Sequence, residues 1–175
     1  AVININTCGK ITIGNGGAIG SGYDALATAA TPAHIWNTGC IFEWNTSGVF
    51  AASGNTYFPN AAAGTTPIFR ITAVTGTPGG GSNTLINGLT QVNANFTWAA
   101  GAGNKTFRDG ICGSAIMTVP ATMTGTFNVG IAPPTGTASI ILGGINLRIV
   151  MDRPMNIADN ITVTVPIDSL VTVSS

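Results

Sequence analysis

Apolar and polar residues alternate with a period of two along most of the chain, and the alternating runs are separated by Gly, Pro, Asn and Asp. Clear examples are "AVININTCGKITI", "HIWNTGCIFEW" and "PIFRITAV", followed by "TLINGLTQVNANFTW", "TASIILGGINLRIVM" and "NITVTVPIDSLVTVSS". Such alternation is typical of strands with one buried face. Helical periodicity is nearly absent, and the one candidate, Tyr23–His34, is interrupted by Pro32.

The number and spacing of these runs predict the fold class. About eight to ten strands of roughly 5 to 8 residues, joined by glycine-rich turns, favour an antiparallel arrangement. The stretch "GICGSAIMTVPATMTGTFNVGI" (residues 110–131) reads as a hairpin with a cysteine at its entrance, and no internal repeat of fixed period is visible. We therefore expect an all-β, antiparallel β-sandwich or elongated barrel with little helix, forming one domain over residues 1–175.

Composition excludes two classes of partner. Charged residues make up 7% of the chain, and six basic residues balance six acidic ones, so no basic field exists to attract nucleic acid or an anionic membrane surface. The mean hydropathy of +0.40 is high, but no apolar run reaches the roughly 18 residues of a spanning helix. The chain starts without a methionine or a signal segment, which is the expected appearance of a mature secreted protein.

No motif in the sequence carries recognisable catalytic or metal chemistry. His34 is the only histidine, and Cys8, Cys40 and Cys112 lack metal-binding or redox spacing. No Gly-x-Ser-x-Gly motif and no close pair of carboxylates are present. We expect no enzymatic activity, no cofactor and no bound metal, and one disulfide with one cysteine left over.

Two features are candidates for ligand binding. Tryptophans and other aromatic residues lie beside asparagines, a combination that suits a neutral, hydroxyl-rich ligand, although a core also needs aromatics. The glycine-flanked segment "GAGNKTFRDG" (residues 101–110) holds three of the twelve charges, which fits either a binding loop or an ordinary solvated one.

The residues around the cysteines resemble the receptor-binding domains of chaperone–usher fimbrial tip adhesins, the group that includes the P-pilus and F17-type lectins. The likeness is carried by "HIWNTGC", with Trp36 before Cys40, and by "DGICGSAIMTVP", with Cys112 entering the next strand. It implies an immunoglobulin-like sandwich and a Cys40–Cys112 disulfide, favoured over a Cys8–Cys40 bridge. It also implies a C-terminal pilin domain, which this chain does not contain.

The resemblance also implies a function, which is non-covalent adhesion to a glycan or glycoprotein receptor on a host surface. A periplasmic chaperone, an usher and pilus subunits would be further partners, and the location would be extracellular, at the fimbrial tip after periplasmic transit. The alternative is a structural filament subunit that assembles by donor-strand exchange. The implied binding residues are His34, Trp36, Asn104, Lys105, Arg108 and Asp109.

Overall fold

All strand pairs in the structure are parallel, and they build a solenoid of stacked coils. The structure is a computed structural model, and it describes residues 2–14, 25–31, 33–46, 56–74, 77–78, 83–132, 136–144, 147–151, 154–166 and 172–174. In this part of the chain the strands are β1 (Asn4–Ile5), β2 (Lys10–Ile13), β3 (Ile35–Trp36), β4 (Ile41–Asn45), β5 (Thr56–Tyr57), β6 (Ile68–Ala73), β7 (Thr84–Ile86), β8 (Leu89–Val92), β9 (Phe96–Thr97), β10 (Lys105–Phe107), β11 (Gly110–Gly113), β12 (Ile116–Val119), β13 (Phe127–Val129), β14 (Ala138–Gly143), β15 (Arg148–Met151), β16 (Met155–Ile157), β17 (Ile161–Thr164) and β18 (Thr172–Ser174). One helical turn, α1 (Ala25–Thr28), lies within the predicted helical segment.

The strands fall into sheets that run along the stack of coils. A seven-stranded sheet has the order β17-β14-β11-β8-β6-β4-β2, a five-stranded sheet β16-β13-β10-β7-β5, and a four-stranded sheet β18-β15-β12-β9, while β1 pairs with β3. From β8 onward, successive strands belong to the seven-, four- and five-stranded sheets in turn, so each coil contributes one strand to each sheet. This is the architecture of a three-sided parallel β-helix.

The predicted all-β content is present, with 48% strand and 2% helix, but the predicted antiparallel immunoglobulin-like sandwich is wrong. The segment 110–131 is not a hairpin, because β11, β12 and β13 belong to three different sheets. Alternation is misleading here because each sheet of a solenoid buries one face and exposes the other. Parallel strands then show the period-two pattern that is usual in antiparallel sheets.

The coils do form a repeat, which their unequal length hides in the sequence. The register pairs Thr84 with Lys105, Thr90 with Ile111 and Phe96 with Met117 all have the same separation along the chain. The next coil along the seven-stranded sheet, from Ile111 to its partner Leu142, takes a longer stretch of chain. Because the extra residues lie between strands, register is kept while a fixed period is lost.

The predicted Cys40–Cys112 disulfide is absent, and Cys8, Cys40 and Cys112 are all free thiols. Cys112 lies in β11, Cys40 directly precedes β4, and β6 and β8 separate these two strands in the sheet. Three strand spacings of about 4.8 Å keep the two residues far beyond the roughly 7 Å that a disulfide can bridge. The Cys8–Cys40 alternative is not formed either.

The core consists of ladders of mainly apolar side chains inside the coils. Phe42, Phe69, Thr90, Ile111 and Leu142 are successive register partners in the seven-stranded sheet and are all buried. The Phe42 and Phe69 rings stack with centroids 5.9 Å apart and an interplanar angle of 14°. Stacked rings give each coil a large apolar contact with the next, and this holds the coils in register.

Glycines at the corners allow the coils to approach this closely. A Cβ on Gly113 would lie 2.0 Å from the Val92 carbonyl oxygen, and one on Gly144 would lie 1.9 Å from the Gly113 oxygen. Gly113 also has φ +136°, a conformation that L-residues rarely adopt. These two glycines therefore lie where the backbones of neighbouring coils come into contact.

Candidate functional site

The outer face of the seven-stranded sheet carries a row of polar side chains that we call the polar ladder: Thr12, Glu43, Arg70, Gln91 and Cys112. They are register partners on β2, β4, β6, β8 and β11. Each follows an inward-facing residue such as Phe42 or Phe69, so the strand alternation turns it outward. Neighbouring rungs are about 4.8 Å apart.

Glu43 is the best-connected member of the polar ladder. Its Oε1 accepts hydrogen bonds from Lys10 Nζ at 3.0 Å and from Thr12 Oγ1 at 3.2 Å, and its Oε2 accepts one from Arg70 Nη1 at 3.3 Å. Burial alone would raise the pKa of Glu43, but the hydrogen bonds from Lys10, Arg70 and Thr12 together lower it. Glu43 is therefore held as a carboxylate.

The ladder continues beyond Arg70 without a further charge. Arg70 Nε donates a hydrogen bond to Gln91 Oε1, and Gln91 also hydrogen-bonds the Cys112 thiol. Burial raises the pKa of Cys112, only partly offset by the charge of Arg70 and by the Gln91 hydrogen bond. The thiol thus ends the row as a neutral group.

An apolar row lies beside the polar ladder on the same face. Ile41, Ile68 and Leu89 are register partners on β4, β6 and β8, and each is half-buried. Since they are two positions from Glu43, Arg70 and Gln91, the sheet presents parallel apolar and polar rows to the outside. Such a face can contact the apolar side of a ligand and hydrogen-bond its hydroxyl groups at the same time.

The structure divides the predicted binding residues into two groups. The first group is close together in the chain: Asn104 directly precedes β10, Lys105 begins it, and Arg108 and Asp109 form the corner before β11. His34 and Trp36 lie at β3, just before β4, and β6 and β8 separate β4 from β11. The six residues therefore do not form one site.

The first group is used in contacts between coils. Asn104 accepts a hydrogen bond from Thr126 N at 2.9 Å, and its own backbone N donates to Asn83 Oδ1 at 2.9 Å. Arg108 pairs with Asp109 at 2.7 Å and donates to the Ala61 carbonyl at 3.2 Å. These side chains already have partners that stabilise the corner.

Lys105 and the predicted aromatic face are inside the molecule. Lys105 is fully buried, with its Nζ 5.2 Å from the centroid of the Trp98 ring. Trp36, Trp44 and Trp98 are 4%, 2% and 1% exposed, so they cannot form an outer platform for a ligand. Their aromatic area stabilises the core instead.

His34 is a connecting residue between coils. It is 7% exposed, and its Nδ1 accepts a hydrogen bond from the backbone N of Ile3 at 3.1 Å. Within the described ranges, no three His, Cys, Asp or Glu side chains form a group that could hold a metal ion. Among the same residues, no helix has the length and apolar character needed to cross a bilayer.

Comparison with known proteins gives no relative. No protein-family model matches the chain, and neither curated proteins nor solved structures give a significant match.

Proposed function

We propose that this chain is a non-catalytic adhesion module of an extracellular protein, which binds a glycan on the outer face of its seven-stranded sheet. The observation that carries the proposal is the polar ladder beside the row Ile41, Ile68 and Leu89. A saccharide has an apolar face and a rim of hydroxyl groups, so it complements adjacent apolar and polar rows. The proposal keeps the expected secretion and uses the low content of charged residues, but it does not use the immunoglobulin-like fold implied by the adhesin resemblance.

The electrostatics of this face favour binding over catalysis. Glu43 is ionised and accepts three hydrogen bonds, so it is a poor proton donor for glycosidic bond cleavage. Lys10 and Arg70 both pair with Glu43, which leaves one net positive charge, and Gln91 adds a neutral amide that accepts a hydrogen bond from Arg70. A preorganised array of this kind, whose charged groups are already paired, holds a neutral ligand without losing much side-chain entropy.

A glycan array probed with chain 1–175 tests the proposal, followed by titration of the strongest glycan. Gln91→Ala removes one amide from the polar ladder and should weaken binding about tenfold, the effect of losing about 1.4 kcal/mol. Asn128→Ala is the matched control, because Asn128 lies on the outer face of the five-stranded sheet. Affinity for a single site is expected to be weak and to increase on multivalent display.

Three results would contradict the proposal. The first is the absence of binding to every glycan on the array. The second is equal loss of affinity in the Gln91 and Asn128 variants, which would place binding elsewhere. The third is release of shortened or unsaturated sugars during incubation, which would make the chain an enzyme.

A further inference from the structure

The seven-stranded sheet has an end strand on either side, and each has one neighbour among the described strands. These end strands are β2, which pairs with β4, and β17, which pairs with β14. Each therefore presents backbone N–H and C=O groups that can pair with a further parallel strand.

The corners that lead into the two end strands have the same geometry. Lys10 in β2 is the sixth residue after Asn4 in β1, and Thr162 in β17 is the sixth after Asn156 in β16. Both corners contain a non-glycine residue with positive φ at the same place, Cys8 at 66° and Asn160 at 57°. The first and last corners therefore have the same length and a positive-φ residue at the same position.

Side-chain character also matches when β2 of a second copy of this chain is placed beside β17 of the first. The register that sets Lys10 on Thr162 also sets Ile11 on Val163 and Thr12 on Thr164. Ile11 and Val163 are half-buried, while Thr12 and Thr164 are exposed. Apolar residues thus meet apolar residues, and outward threonines meet outward threonines.

β16 and β17 have the composition of interior strands, although an inward-facing residue of β16 is exposed. Ile157 continues the inward-facing ladder of Phe107 and Val129, but it is 47% exposed while those two are buried. β16 and β17 contain no charged residue and no proline. Natural edge strands normally carry such residues to prevent pairing with other chains.

Two short ladders of asparagine side chains lie on the outer surface, one on the five-stranded sheet at the β16 end and one on the β1–β3 pair at the other end. Asn156 Nδ2 donates to Asn128 Oδ1 at 3.2 Å, and Asn128 Nδ2 donates to Thr106 Oγ1 at 3.2 Å. At the other end, Asn37 Nδ2 donates to Asn4 Oδ1 at 3.0 Å. All three bonds point toward the preceding coil. If Lys10 of a second copy lies on Thr162, the equal corner lengths place Asn4 of that copy over Asn156. One more hydrogen bond in the same direction would then join the two ladders.

From these relationships we propose that a second copy of this chain stacks head-to-tail on the first, with β2 of one copy pairing in parallel with β17 of the other, Lys10 on Thr162. The contact extends the seven-stranded sheet by the same ladder that joins β4 to β6. Because the two surfaces differ and are related by translation, the association does not close and continues into a filament. This assembly goes beyond the proposed glycan binding, and neither depends on the other.

Charge substitutions at position 162 test the register. Thr162→Lys places a cation opposite Lys10 of the next copy and should weaken association about tenfold or more, whereas Thr162→Glu should preserve or strengthen it. Ser139→Lys is the matched control, because Ser139 is the exposed register partner of Thr162 one coil inside the sheet. Association is measured by sedimentation over a range of concentrations and by electron microscopy.

A disulfide trap tests the geometry directly. In a Cys8→Ser background, Thr12→Cys combined with Thr164→Cys should give a ladder of covalent oligomers on mild oxidation. The pair Thr12→Cys and Thr162→Cys is out of register and should not. The background variant alone gives the yield due to Cys40 and Cys112.

The proposal is supported if the wild-type chain forms filaments, Thr162→Lys weakens association and Thr162→Glu does not. Covalent oligomers from the in-register cysteine pair support it further. A wild-type chain that stays monomeric at every concentration overturns it. So does a dimer that grows no further, association that is equal in the Thr162→Lys and Thr162→Glu variants, or cross-linking that is equal in the two cysteine pairs.

Discussion

Lys105 and Trp98 form a cation–aromatic pair inside the solenoid, with Lys105 Nζ 5.2 Å from the centroid of the indole ring. Lys105 is fully buried, and its Nζ also lies 3.4 Å from Thr84 Oγ1. Burial lowers the pKa of Lys105, because the interior disfavours the charged ammonium. The Trp98 ring attracts the cation, whereas burial acts against it.

Stability should therefore increase as the pH is raised toward the usual lysine range. The folded state holds the Lys105 proton less tightly than the unfolded state, whose lysine pKa is about 10.4. Between the lowered folded pKa and about pH 10.4, unfolding takes up a proton, so the free energy of unfolding rises by up to about 1.4 kcal/mol per pH unit. Urea denaturation at a series of pH values measures the slope.

Lys105→Met should remove this contribution to the slope and raise stability at neutral pH by about 1 kcal/mol or more. Arg148→Met is the matched control, because Arg148 is an exposed cation on the outer face of the four-stranded sheet. It should change stability by less than about 0.5 kcal/mol and leave the slope unchanged. An unaltered slope in the Lys105 variant would contradict the prediction.

The polar ladder predicts a loss of stability at acid pH. Because the folded state lowers the pKa of Glu43, its stabilising contribution is present above the usual glutamate pKa and is lost as the pH falls through the lower, folded value. Glu43→Gln should cost about 1–3 kcal/mol at pH 7 and reduce the loss of stability in acid. Guanidinium denaturation at neutral and acid pH gives both quantities.

Lys10→Met should destabilise the protein less than Glu43→Gln does. The Lys10 side chain is 46% exposed, and an exposed partner contributes less than a buried one. We expect a loss below about 1 kcal/mol. A Lys10 variant as destabilised as the Glu43 variant would show that solvent does not screen this pair.

Substitution of a corner glycine should lower the stability of the fold strongly. Gly113→Ala places a methyl group 2.0 Å from the Val92 oxygen at φ +136°, so the two coils must separate. We expect a loss of at least about 3 kcal/mol or failure to fold. Gly14→Ala is the control, because a Cβ there meets nothing within 4 Å and should shift the melting temperature very little. Similar melting temperatures for the two variants would show that Gly113 is not in close contact with Val92.

The three thiols should react at different rates. Cys8 is exposed, Cys112 is half-buried and Cys40 is buried, and burial raises the pKa of the last two. Alkylation of the native protein, followed by intact mass, should label Cys8 first, Cys112 slowly and Cys40 only on unfolding. A reducing agent should leave the melting temperature unchanged. An intact protein mass two hydrogens below that of the fully reduced chain would show that a disulfide is present.

The sequence predicts where strands occur but not how they pair. The interpretation of "PIFRITAV" as a strand is confirmed, since Phe69 and Ile71 face inward and Arg70 outward in β6. Alternation of this kind reports one buried face and says nothing about the direction of the neighbouring strand. The neighbour lies a whole coil away along the chain, at the same place in the next turn of the solenoid.

Sequence reasoning misses the polar ladder, although the sequence contains a signal for it. Aligning "KIT", "IFE", "IFR", "LTQ" and "GIC" sets Thr12, Glu43, Arg70, Gln91 and Cys112 in one column. Each is a polar or small residue after an inward position, and no two are adjacent in the chain. Only the stacking of coils brings them together, so a search for local motifs could not find them.

The unequal coils also show where this architecture tolerates change. The coil from Thr90 to Ile111 is short and the one from Ile111 to Leu142 is longer, yet both pairs keep the same parallel register. A foreign peptide spliced between β13 and β14 would thus be carried on the flank of an undisturbed rod. Repeated splices, one per turn, would display epitopes at intervals fixed by the backbone itself.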